Sequence, residues 1–131
     1  MRYNTGMSFR ITRERFEKLA EEAVTTLPEE FKEYFTNITV VVEDYPSRED
    51  ARSTGARRDE LLGLFRGVAY TERGGLLDIP PPLPDVITLF KHNLEQICES
   101  EEDLVEEIQK TVMHEVGHYF GLSEEDLEEY E

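Results

Sequence analysis

Thr111-Val112-Met113-His114-Glu115-Val116-Gly117-His118-Tyr119-Phe120-Gly121-Leu122 contains the pattern H-E-x-x-H within a segment of helical apolar spacing. Leu104, Val105, Ile108 and Val112 lead into it along one helix face. Ser100 stands where an N-cap belongs, and the acids Glu101, Glu102 and Asp103 suit the positive end of a helix dipole. His114 and His118 are four apart, so they lie one turn from each other on one face, and their imidazole nitrogens can converge on one ion. Glu115 falls beside the ion rather than on it. A water held by Zn²⁺ has a pKa of about 7, and Glu115 can take its proton and pass it to a leaving amine. With 3 His and 23 Glu, a shuffled chain shows this pattern roughly one time in a hundred, and the helical context makes coincidence rarer.

A catalytic zinc site needs a third protein ligand and one open position. Gly121, three residues after His118, lets the helix stop in a left-handed conformation and turns the chain back toward the metal. Glu124 then occupies the position that completes H-E-x-x-H-x-x-G-x-x-ligand, where His is the metzincin pattern and Asp its close variant. The expected site is one Zn²⁺ on His114, His118 and Glu124, with Glu115 as the catalytic base. Asp126, Glu125 and an upstream group such as His92 are the rivals for the third place.

Upstream, Phe16, Leu19, Ala20, Ala23, Val24 and Leu27 recur on one helical face, with Thr12 at the N-cap position. Pro28 interrupts this helix, and Glu29–Phe35 is expected to add a short helical turn. Ile38–Asp44 is β-branched and reads as a well-buried strand. Residues 46–60 lack any period and read as a loop. Gly63–Tyr70 is a second strand, with Gly67 a candidate bulge. Thr71–Gly75 turns the chain, and Pro80–Pro84 enforces an extended linker. Asp85–Lys91 is a third strand and a candidate sheet edge along which an extended peptide could lie. Leu94–Glu99 is expected to form a short helix. There is no internal repeat, and residues 1–131 read as a single domain with residues 1–8 as a flexible extension.

Length and charge narrow the function. The 131 residues include 14 Lys and Arg against 30 Asp and Glu, a net charge of −16. The 7 Phe and 6 Tyr, with 38% hydrophobic residues, argue for a packed core rather than an acidic disordered chain. Such a surface opposes nucleic-acid binding by phosphate neutralisation, and so speaks against a zinc endoribonuclease. The acid is uneven: residues 95–131 hold 14 acids and a single base, Lys110. Part of that excess is the expected base and ligand, and the remainder favours basic peptide substrates over acidic ones. No apolar run is long enough to span a bilayer, and the one cysteine, Cys98, excludes an intrachain disulfide. A cytoplasmic protein that binds neither membrane nor nucleic acid is the expectation; nothing fixes its oligomeric state.

The chain resembles a small bacterial family of minimal zincins, read as zinc metallopeptidases. The resemblance runs through the first helix, the Ile38–Asp44 strand, Gly63-Leu64-Phe65-Arg66-Gly67 into Thr71-Glu72-Arg73-Gly74, and Pro84-Asp85-Val86-Ile87-Thr88-Leu89-Phe90. It is most specific over His114–Glu124. It implies an α+β fold, a small mixed sheet packed against the N-terminal helix and the H-E-x-x-H helix, with no large second subdomain. The family usually has Asp where this chain has Glu124, and the resemblance supplies no substrate.

Other side chains have plainer roles. His92, at the end of the third strand, reads as a solvated histidine or as a group that polarises a carbonyl. Tyr119 and Tyr130 are candidate oxyanion donors, although Tyr119 reads more simply as a packing residue. Arg73 reads as a partner for acidic side chains, and Cys98 as a buried apolar residue. Two functions of different class therefore stand: a zinc metallopeptidase acting on a peptide or protein substrate, and a non-catalytic, zinc-stabilised binding or adaptor module that retains the site.

Overall fold

The structure, a computed structural model, describes residues 9–33, 38–66 and 85–119, apart from the side chains of His118 and Tyr119. The Thr71–Gly75 turn, the Gly67 bulge, the proline linker and residues 1–8 lie outside the described residues. The described elements are α1 (Arg13–Thr25), α2 (Glu29–Lys32), β1 (Ile38–Glu43), α3 (Arg48–Thr54), β2 (Gly63–Arg66), β3 (Asp85–Phe90), α4 (Lys91–Gln96) and α5 (Glu101–Tyr119).

Capping sets where the two long helices begin. The Thr12 hydroxyl accepts from Arg15 N–H at 3.1 Å, and the Ser100 hydroxyl accepts from Asp103 N–H at 3.1 Å. Phe16, Leu19, Ala20 and Ala23 of α1 are buried with Leu104, Ile108, Val112, Met113 and Val116 of α5 in one core. The two helices run in the same sense. Arg15 near the start of α1 reaches Glu101 at the start of α5, and Gln109 Nε2 donates to Ala23 O at 3.1 Å and Thr26 Oγ1 at 2.8 Å. Gln109 thereby supplies a donor to a carbonyl at the end of α1.

The sheet is mixed, in the order β1-β3-β2, with β1 parallel and β2 antiparallel to β3. The architecture is α+β, with α5 packed on β2 and β3 and α1 on β1. Two expectations about the strands reverse. β3 is the central strand, not an edge; its Ile87, Leu89 and Phe90 are fully buried. Among the described strands β1 lies at an edge and is half-covered, and only Val42 in it is buried.

The expected loop over 46–60 contains α3. Ser47 and Asp50 form a reciprocal capping box, and Gly55 ends the helix at φ 77°. Asp50 also accepts from Arg66 of β2, whose other arm donates to Thr88 Oγ1 at 3.1 Å, so α3 is fastened to the sheet. The short helix expected over Leu94–Glu99 starts earlier, directly at the end of β3. In this helix, α4, Lys91 and Glu95 form a buried ion pair at 2.8 Å, and Glu95 accepts the Ile11 N–H at 3.0 Å. The chain ahead of α1 is thus tied to α4.

Candidate functional site

α5 carries His114 and Glu115 side by side, both half-buried, with His118 one turn on. His114 Nδ1 lies 2.9 Å from Lys110 O. A carbonyl oxygen only accepts, so Nδ1 is the donor in this contact, as in the Nδ1–H tautomer. That tautomer is the one a metal-ligating histidine needs, with its other nitrogen oriented by a backbone carbonyl. The donor chemistry at His114 therefore fits zinc.

Glu115 is held from the sheet. Its Oε1 accepts the Phe65 N–H at 3.2 Å. Phe90 N–H donates to Leu62 O at 3.0 Å, and the antiparallel alternation then turns the polar backbone of Leu64 and Arg66 toward β3. The backbone groups of Gly63 and Phe65 face the opposite, outer edge of β2. Glu115 thus meets the edge of β2 that faces away from β3. Close approach of β2 to α5 depends on Gly63, where a Cβ would lie 2.7 Å from Thr111 Cγ2.

A cavity of about 310 Å³ adjoins His114 and Glu115. One wall is the α5 face through Thr111, Lys110 and Glu107; the other is the segment from Ala56 to Gly63. Asn93, 1% exposed, pins that second wall by donating from Nδ2 to Arg58 O at 2.9 Å and Leu61 O at 2.8 Å. The sequence pattern indicates neither Asn93 nor the Phe65 N–H, because both act through partners distant in the chain. Gly63 is visible in the sequence as a small residue at the head of a strand, but its contact with α5 is not.

Other expected residues fall elsewhere. His92 lies in α4, is partly exposed and does not line this cavity. It is 23% exposed, stacks on Tyr45 with ring centroids 4.6 Å apart, and stands 3.9 Å from Asp44 and 3.8 Å from Glu95. Cys98 is buried, and burial, reinforced by Glu107, Asp103 and Glu95, pushes its thiol up to about 12, so it supplies no thiolate ligand. Arg73, Glu124, Glu125, Asp126 and Tyr130, with the side chains of His118 and Tyr119, lie outside the described residues. Among the described residues no cluster of three or more His, Cys, Asp or Glu is placed to hold a metal, and no helix is long and apolar enough to cross a membrane.

No curated protein matches the chain. Among solved structures, a conserved hypothetical protein from Thermo thermophilus is similar, with a TM-score of 0.51 and 23% identity over 83% of this chain and 94% of that one, a likeness of fold. The zincin-like metallopeptidase family matches residues 35–131, which include all three strands, the cavity and the whole H-E-x-x-H helix. On that match, the chain belongs to the zincin-like metallopeptidase family.

Proposed function

We propose that the protein is a zinc-dependent peptidase acting on a peptide or protein substrate. The observation that carries this reading is Glu115, whose carboxylate accepts the Phe65 N–H of β2 and which directly follows a histidine whose Nδ1 is oriented by a backbone carbonyl. His114 and His118 would hold the ion, with Glu124 as the third protein ligand. Zinc, when bound, supplies a Lewis acid for the scissile carbonyl and a more acidic water. Glu115 takes a proton from the attacking water and delivers it to the amine nitrogen as the C–N bond breaks, which returns Glu115 to its carboxylate form.

Glu115→Gln tests the assignment, because glutamine keeps an oxygen for the Phe65 N–H but cannot carry the proton. The zinc-loaded variant should retain one zinc per chain and lose at least about a hundredfold in cleavage of a mixed peptide library read by mass spectrometry. Undiminished cleavage would place the base elsewhere. Glu124→Ala should lower zinc affinity, and unchanged affinity would remove Glu124 from the ligand set. Zinc-loaded protein that cleaves no peptide would favour the non-catalytic binding module.

A further inference from the structure

The cavity beside Glu115 has a chemistry of its own. It follows one face of α5 from His114 back to Glu107, seven residues or about 10 Å of helix rise. Leu61, Leu62 and Ala56 give it apolar walls, and Glu60 and Glu107 add carboxylates. Among the described residues, the one Lys or Arg that lines it, Lys110, stands 3.9 Å from Glu107 in an i,i+3 pair. Among the described residues no cation is paired with Glu60, which is exposed. A volume of about 310 Å³ is at the low end of ligand pockets, suited to one long side chain rather than a larger molecule.

We infer that this cavity is a subsite for a lysine or arginine side chain of the substrate, next to the bond that lies over His114 and Glu115. The aliphatic stem of such a side chain would cover Leu61 and Leu62 while its charged end reaches Glu60. An acidic side chain would instead meet Glu60 and Glu107, with Lys110, already paired, the one cation among the described lining residues to receive it. The subsite rests on the peptidase reading for its substrate class, and it goes further in naming the side chain and the residue that selects it.

Binding separates the two ideas, because it needs no turnover. Fluorescein-labelled alanine-based octapeptides with one central Lys, Arg, Leu or Glu are titrated with the zinc-loaded full chain and followed by anisotropy. The Lys and Arg peptides should bind about 2- to 5-fold more tightly than the Leu and Glu peptides, the upper range of an exposed ion pair. Glu60→Gln should erase that ratio, and Glu60→Lys should invert it toward the Glu peptide. Equal binding of all four peptides, no binding of any, or a ratio unmoved by both variants would overturn the subsite. Charge-selective binding without cleavage would sink the peptidase reading and leave the subsite standing; cleavage without selectivity would do the reverse.

Discussion

A Cβ on Gly63 would stand 2.7 Å from Thr111 Cγ2 and 3.1 Å from Thr88 O, so β2 and α5 meet with no room for a methyl group. That contact sets the distance between Glu115 and the β2 edge that donates to it. Gly63→Ala should destabilise the fold by about 1–3 kcal/mol, the usual range for overpacking. Thr111→Ser removes Cγ2 but keeps the hydroxyl that donates to Glu107 O at 2.8 Å. In the Gly63→Ala background it should therefore recover part of the loss, and only part, because Thr88 O remains. A double-mutant cycle in urea should give a coupling of at least about 0.5 kcal/mol. Zero coupling would show that the methyl is accommodated elsewhere.

The fastening of α3 to β2 runs through Asp50. Burial works against its carboxylate, but the Arg66 guanidinium and the Ser47 backbone and hydroxyl donors outweigh it and hold Asp50 below the ordinary carboxylate range. A depressed acid contributes stability that is present above its unfolded value of 3.8 and lost as pH falls through the folded one. Urea midpoints measured from about pH 7 down to about pH 2 should fall less steeply for Asp50→Asn than for the parent. At neutral pH the variant should be about 1–2 kcal/mol less stable, a figure reduced because Arg66 is half-exposed. Parallel curves would remove Asp50 from the acid response. The signals for α3 are present in the sequence as Ser47-x-x-Asp50 and Gly55, but seven residues with no apolar period are outweighed by a loop reading. The central place of β3 is not legible at all, since strand order depends on pairing between distant segments. The H-E-x-x-H helix is legible because its apolar period, its cap and its paired histidines are all local.

Charge acts on the molecule as a whole. Of 30 acids, 14 lie in residues 95–131, where Lys110 is the single base. Some are compensated locally. Arg15 donates to Glu101 at 3.0 and 2.6 Å, which holds Glu101 low and raises Arg15, and Asp103 accepts the Glu99 N–H at 3.0 Å. These contacts leave the net charge of −16 unchanged, and like charges repel across a small body. The screening length falls from about 30 Å at 0.01 M salt to about 8 Å at 0.15 M. Metal-free protein should therefore melt at a higher temperature as sodium chloride is raised over that range. Zinc should raise the melting temperature separately, by mass action, with about 2.7 kcal/mol expected at a hundredfold excess over Kd. It should also flatten the salt response, because a dication at His114 and His118 offsets acid that salt otherwise screens. A melting temperature that falls with salt would mean that ion pairs such as Arg15–Glu101 outweigh the general repulsion.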